Sequence, residues 1–390
     1  MAKVVMVTGC DGYIGHALTL KLLVEGYHVI GLDTYQRRAH VREMGSFSAL
    51  PIQSQVQRTE LFQSIGSYLF YNVSTTNPIS LKQVFRDHHI DVVVNLAQQP
   101  SAPFSHKSRF HAVSTSVNNV NGVLNLLWTM REHCPHSHLV HIGTMGEYDP
   151  AVGVEIPEGK FRFWHKWRRS KESIFPRRPG SFYHASKVAA TYYIDLACRI
   201  WGLRATDIMQ GIVYGNWTEE IEKYQSHTRL DSDEAFGTVF NRFVVQAMLD
   251  HPLTVYGQGD HKRGFLSLYD SVQCLMIAVK NPPKKGDYRT WNQLVDVKSM
   301  NEVADIVIDA AEYYGKKLWV QTVKSPRVEE TSKFYYKPTV KTLKNLGYED
   351  DGTTMMDEAF YIFDYFQEHP MDEEDKEKLR NVIGPLITWR

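Results

Sequence analysis

Tyr183 and Lys187 stand four residues apart in the run Tyr-His-Ala-Ser-Lys. On a helix that spacing puts both side chains on one face. An ammonium beside a phenol favours the phenolate, lowering a pKa that is ~10 when unperturbed. Such a tyrosine can take the proton of a carbinol while its carbon gives hydride to a nicotinamide. Thr144, at the end of the apolar run His138–Gly143, offers a hydroxyl as a third member. His184, next to the tyrosine, is a candidate base for a neighbouring carbon, or a structural histidine beside the site.

A hydride acceptor needs a cradle, and the first thirty residues supply its pattern. Residues 3–8 form a short β-branched run, as a buried parallel strand would. Gly9-Cys10-Asp11-Gly12-Tyr13-Ile14-Gly15 follows, then an amphipathic stretch from His16 to Glu25, then His28 to Leu32 and Asp33. Strand, glycine turn, helix, strand and acid in that order form a dinucleotide-binding fingerprint. Glycines let backbone N–H groups approach a diphosphate at the positive end of the helix. Asp33 can accept from the adenosine ribose hydroxyls and repels a 2′-phosphate, which favours NAD over NADP. Arg37 and Arg38 could instead welcome that phosphate.

The elements that must position these groups continue the rhythm. Strands are predicted at Tyr68–Val73, Asp91–Ala97 and His138–Gly143, and helices at Ile79–His88, Ser116–Glu132 and from Tyr183 to Cys198. This alternation predicts an α/β doubly wound parallel sheet of the Rossmann type with a smaller α/β substrate domain. The expected dinucleotide-binding domain is 1–214, completed by part of 264–290. Residues 215–263 and 291–390 are expected to form the substrate domain, with the tail after 350 uninformative.

Composition narrows the function class. Over 390 residues Lys+Arg and Asp+Glu both total 44, so no global field points to nucleic acid or a membrane. Cys10, Cys134, Cys198 and Cys274 are scattered, which reads as free thiols in a reducing compartment rather than disulfides or a metal site. The first strand begins too early for a leader, and no apolar run reaches the ~20 residues that span a bilayer, so the expected location is the cytoplasm.

Thr8–Gly15, Asn95-Leu96-Ala97, Asn118–Gly122, Thr144, Tyr183/Lys187 and Gly211–Gly215 together resemble the extended short-chain dehydrogenase/reductases that epimerise or dehydrate nucleotide sugars. The segments 138–148, 181–187, 201–215, 235–242 and 251–257 are similar to the sulfoquinovose-forming branch of that family, and Asn292-Gln293 fits too. The resemblance implies a bound NAD, a UDP-hexose substrate and a homodimer. It implies that Tyr183 is the base for C4 oxidation, Lys187 holds the nicotinamide ribose, and Thr144 binds the C4 hydroxyl. It further implies cofactor contacts at Asn72, Val73, Leu96, Ala97, Gln98, Asn118, Gln210 and Val213 as well as the glycine turn. Substrate contacts are implied at Gln99, Ser101, Met145, Gly146 and Glu147, with Arg263 and Arg327 as diphosphate ligands. The implied reaction is oxidation at C4, loss of the C6 hydroxyl, addition of sulfite at C6, and return of hydride to C4. A 4-epimerase, a 5,6-dehydratase without sulfite transfer, and a non-catalytic NAD-binding regulator are the other readings.

Three segments depart from the wider family. Thr144-Met145-Gly146-Glu147 lacks the Asp-Glu pair that ordinary 4,6-dehydratases carry after the threonine, in agreement with the sulfoquinovose-forming branch. Gln98-Gln99-Pro100 puts proline where that branch has arginine. Residues 155–180 are basic and aromatic, either a solvated surface loop or a patch collecting anions beside the site.

Overall fold

The computed structural model describes residues 2–148, 155–325, 338–350 and 352–384. Its centre is a seven-stranded sheet of β1 (Val4–Thr8), β2 (His28–Leu32), β3 (Tyr68–Tyr71), β4 (Val92–Asn95), β5 (His138–Thr144), β6 (Arg204–Gln210) and β9 (Tyr288–Gln293). The spatial order is β9-β6-β5-β4-β1-β2-β3, and every pairing is parallel. The order reverses beside β1, so a crevice opens outside the carboxyl ends of β1 and β4. β4 is apolar at Val92, Val93 and Val94 because both its faces are covered, and all three are buried.

One face of the sheet packs on helices Tyr13–Val24 and Leu268–Lys280 through Leu18, Leu22, Val272 and Leu275. The other packs on helices Pro78–Asp87, Gly122–His133 and Phe182–Trp201 through Val84, Leu126, Ala190 and Ile194. A smaller lobe has its own core. Helices Val239–Met248, Met300–Tyr313 and Met355–Glu368 meet there through Phe243, Val307 and Phe363. A three-stranded sheet of β7 (Ile212–Tyr214), β8 (Lys262–Ser267) and β10 (Asp296–Ser299) lies beside it.

Two expectations about elements change. The helix predicted over Ser116–Glu132 is broken by a π turn, Val117–Asn121, between helices Arg109–Ser116 and Gly122–His133. The extra residue turns Asn118 and Asn119 together toward the end of β4: Asn118 Nδ2 donates to Ala97 O at 3.3 Å, and Gln99 N donates to Asn119 Oδ1 at 2.8 Å. The expected domain boundary at 290/291 falls inside edge strand β9, which pairs with β6 from Ala205–Tyr288 to Gln210–Gln293. Beyond residue 350 the chain packs into the smaller lobe through Phe363, and its Glu358 is fully buried and accepts from Asn216 N at 3.0 Å. All four cysteines are buried and free. Among the described residues no helix is long and apolar enough to cross a membrane.

The turn after β1 is built around absent side chains. Gly9 has φ +79°, and a Cβ there would meet the Leu96 carbonyl at 2.8 Å. A Cβ on Gly15 would lie 2.0 Å from Gly9 O, a backbone atom that cannot step aside. Gly15→Ala is therefore expected to cost ~1–3 kcal/mol through overpacking, read as a lowered denaturant midpoint with an unchanged slope. An unchanged midpoint would mean that the turn relaxes freely.

Candidate active site

A cavity of about 740 Å³ runs along the carboxyl ends of the strands and under the smaller lobe. Gly9, Gly12, Tyr13, Ile14, Gly15 and Asp33 line one part of it. Asp33 sits at the end of β2, with Oδ2 accepting from Asp11 N at 2.9 Å and Oδ1 from Tyr35 N at 2.7 Å. Arg37 lines the same wall but is bound to Asp231 at 2.8 Å. Arg38 does not reach the lining: both its Nε and Nη2 donate to Asp11 at 2.6 Å. The Asp11 carboxylate is turned away with it, toward Arg38 and Arg58. Both arginines that could have met a 2′-phosphate are thus occupied by carboxylates, while Asp33 faces the cavity.

Val73, Leu96, Ala97, Gln98, Asn118, Gln210 and Val213 line the middle; Asn72 is exposed and outside it. Thr144, Met145, Gly146, Tyr183, His184 and Lys187 converge beyond them. Two chain features bring them together. β5 ends at Thr144, whose hydroxyl accepts from Gly146 N at 3.1 Å and starts a tight turn. Helix Phe182–Trp201 begins at Ser181, whose hydroxyl accepts from His184 N at 3.0 Å. The Thr144 hydroxyl faces the Tyr183 phenol closely enough to favour its phenolate. Lys187 Nζ donates to Ile142 O at 2.5 Å and Gln98 Oε1 at 3.2 Å, and lies 3.1 Å from His141 Nε2.

The electrostatics differ from the simple pairing expected. Burial raises the Tyr183 pKa, the Glu147 charge raises it further, and only the Thr144 hydroxyl lowers it. The Lys187 ammonium is spent on the sheet, and burial brings its own pKa down to about 8. In the protein alone Tyr183 is therefore held neutral. A cationic ring beside it would supply the missing lowering.

Glu147, expected on the substrate side, is fully buried and absent from the cavity lining. Its carboxyl accepts from Thr191 Oγ1 at 3.1 Å and lies 3.6 Å from Arg177 Nη1. Asp207 joins the same cluster, accepting from Thr191 at 2.7 Å and Tyr288 at 2.8 Å. Burial pushes Glu147 up to about 7, against the pull of Arg177. Arg177 comes from the basic segment 155–180, so that segment is partly core: its guanidinium sits 4.1 Å over the Tyr148 ring. Lys160 pairs with Asp195 at 2.8 Å, Trp167 is 96% exposed, and Arg178 lines the cavity.

His184 holds its place through a neighbour's missing side chain. Its Nδ1 is 2.9 Å from Ser181 Oγ, and a Cβ on Gly146 would fall 2.2 Å from its Nε2. Gln99 is buried yet lines the cavity, donating to Thr115 Oγ1 at 2.7 Å and to Ser101 O at 3.0 Å. Arg263 and Pro100 line the cavity; Arg327 lies outside the described residues. The site also has residues that motif reading did not single out: Asn241, Arg242, Tyr256 and His261 from the smaller lobe. Asn241 and Arg242 fall in the similar segment 235–242, but nothing local marks them as binding groups.

The sequence model of the NAD dependent epimerase/dehydratase family matches residues 5–292. A UDP-sulfoquinovose synthase of Sulfolobus acidocaldarius is 38% identical over 388 residues, 99% of this chain and 97% of that protein. A chloroplastic UDP-sulfoquinovose synthase of Spinacia oleracea is 39% identical over 336 residues, 85% of this chain and 69% of that protein. Among solved structures, the UDP-glucose 4-epimerase of Thermotoga maritima with UDP-glucose superposes with TM-score 0.71 at 20% identity, covering 94% of this chain and all of that one. That of Bifidobacterium longum with NAD+ and UDP also gives TM-score 0.71, at 16% identity, covering 94% and 99%. At those identities the superpositions establish the fold.

The cluster behind the catalytic turn yields a pH-dependent expectation. The folded pKa of Glu147 lies above its ordinary 4.5. Proton binding there stabilises the fold fully below about 4.5, and this contribution is lost as pH rises through about 7. Arg177→Met raises that folded pKa further. The variant should be close to wild type at low pH and, near pH 8, where wild-type Glu147 has lost its proton while the unpaired carboxyl must keep it, lose a further ~1 kcal/mol, the free energy of about one pH unit. Urea unfolding at the two pH values measures this; equal losses at both would remove Glu147 from the account.

Proposed function

Because this chain belongs to the NAD dependent epimerase/dehydratase family, we propose that it is a nucleotide-sugar enzyme that builds a 6-sulfonated hexose on UDP, using UDP-glucose and sulfite. The observation that carries the reading is the near full-length similarity to the Sulfolobus synthase, joined to a site with the oxidation triad and no dehydratase carboxylate pair at its turn. The glycine cradle, Asp33 and the occupied Arg37 and Arg38 fit NAD. When bound, NAD takes hydride from sugar C4 and later returns it.

The chain's own groups do the rest. Tyr183 takes the C4 hydroxyl proton, and Thr144, which lines the cavity beside it, orients that hydroxyl. Lys187, anchored on Ile142 O, orients the nicotinamide ribose. A C4 ketone acidifies the C5 proton, which His184 removes and passes to the departing C6 hydroxyl, so that water leaves. Bisulfite then adds through sulfur at C6, and its proton goes to C5 by way of His184. Met145 and Gly146 put no carboxylate where ordinary dehydratases have theirs, and Glu147 is buried behind them, which supports a C5 base on the Tyr183 side of the cavity. Arg263 and Arg327 are the proposed ligands of the sugar diphosphate, and Arg178 supplies positive charge at the same cavity, where Pro100 supplies none.

We also read the chain as a cytoplasmic homodimer. Tyr192, Leu196 and Ile200 form an exposed stripe at i, i+4, i+8 on helix Phe182–Trp201, with Trp128 on the adjoining helix 47% exposed. Leu196→Glu with Ile200→Glu should halve the mass measured by light scattering; an unchanged mass would place the interface elsewhere.

The deciding experiment incubates the protein with UDP-glucose and sulfite and analyses the nucleotide sugars by mass spectrometry. A sulfonated UDP-hexose is expected, with Tyr183→Phe slower by ~10²–10⁴-fold. Gly146→Ala, which displaces the His184 ring, should suppress solvent deuterium entry at C5. UDP-galactose with no deuterium at C5 would make this a 4-epimerase. A dehydrated sugar that ignores sulfite would retain the C5/C6 chemistry and dismiss sulfite. No turnover, with NAD bound, would favour the regulator.

A further inference from the structure

Two segments outside the seven-stranded sheet meet beside the glycine turn. Residues 34–58 lie between β2 and β3, and residues 216–238 lie between β7 and helix Val239–Met248. Ala49 N donates to Leu230 O at 2.8 Å, and Leu230 N to Ser48 Oγ at 2.9 Å. Ser226 Oγ donates to Gln53 Oε1 at 2.8 Å, and Arg58 Nη2 to His227 O at 3.0 Å. The second segment also grips the turn and its helix. Thr228 Oγ1 donates to Tyr13 O at 2.6 Å, and His16 Nε2 is 3.0 Å from Ser226 Oγ. Residues 226–229 therefore stand against the first turns of helix Tyr13–Val24, where a dinucleotide diphosphate is held by backbone N–H groups.

Asp231 joins the two segments. Its Oδ2 accepts from Arg37 Nε at 3.1 Å and Nη2 at 2.8 Å, and from Arg229 Nε at 2.7 Å. The Arg37 guanidinium also lies 3.9 Å over the Phe236 ring. All three charged residues line the cavity that the glycine turn lines. Asp233, the neighbouring acid, uses Oδ1 to accept from the N–H groups of Ala235 and Phe236 at 3.0 Å. Arg37 Nη1, Arg229 Nη1 and Asp231 Oδ1 are buried without a hydrogen-bond partner in the protein alone. Buried donors on a guanidinium are costly to leave unmade. Two guanidiniums sharing one carboxylate oxygen beside a helix N-terminus make a site for phosphate oxygens.

We propose that Arg37, Asp231 and Arg229 form a latch that holds the two segments closed over NAD, offers guanidinium N–H groups to its diphosphate, and keeps it bound between turnovers. Asp231 and Arg37 are positioning residues, and Arg229 is the ligand. The inference rests on NAD as cofactor and is independent of the sugar and of sulfite.

The test compares wild type with Asp231→Asn, Asp231→Glu, Arg229→Met and Ser48→Ala, the last removing one bond between the segments without touching a guanidinium. Retained NAD is measured in the gel-filtered protein, its release by chase with labelled NAD, and UDP affinity by calorimetry. Asp231→Asn and Arg229→Met should release NAD about tenfold faster or more, with UDP affinity within about twofold, and Asp231→Glu should recover part of the loss; tenfold in a rate is a modest ~1.4 kcal/mol. Unchanged NAD release with weakened UDP binding would give the guanidiniums to the sugar diphosphate and overturn the proposal. Equal acceleration in Ser48→Ala would reduce the latch to ordinary packing and overturn it too.

Discussion

An ammonium, a guanidinium and two carboxylates are buried together behind the turn that follows β5, and the candidate site depends on how they are matched. Lys187 is drawn from the helix face onto Ile142 O, while Arg177 answers Glu147, and Thr191 bridges Glu147 and Asp207. Burying any one of these charges alone would cost several kcal/mol, so each holds the others in register. Because the cluster ties β5, β6, helix Phe182–Trp201 and the segment before it, the positions of Thr144 and Tyr183 follow from it. The raised pKa of Tyr183 follows first from its burial, and the Glu147 charge adds to it.

Helices, turns and missing side chains divide the remaining work. Glycines at 9 and 15 let strand, turn and helix close on one another, and Gly146 lets the His184 ring lie against β5's exit. Both are steric statements about what is absent. The π turn at Val117–Asn121 works by addition, one extra residue turning two asparagines toward the end of β4. Together they fix a floor on which the smaller lobe places Asn241, Arg242, Tyr256 and Arg263 from above.

The arginines show how partners decide function. Arg37 and Arg38 are adjacent and chemically alike. One is bound to Asp231 in a cavity wall and the other to Asp11 behind the turn. In the basic segment, Arg177 is core and Arg178 faces the cavity. A run of positive charge in a sequence thus resolves into separate electrostatic tasks, set by which carboxylates lie across the fold.

The sequence by itself determined the sheet, the glycine cradle, Asp33 and the alignment of Thr144 with Tyr183 and Lys187. These are local patterns: β-branched runs, glycine spacing and the i, i+4 interval each act over a few residues. The tertiary structure alone decided that Glu147 and Asp11 turn away from the cavity, and that Lys187 serves the sheet before the phenol. It also decided the meeting of Arg37 with Asp231, which lie 194 residues apart. Such pairings depend on desolvation and on partners from distant strands, and a side chain's charge says nothing of its partner until the chain has folded around both.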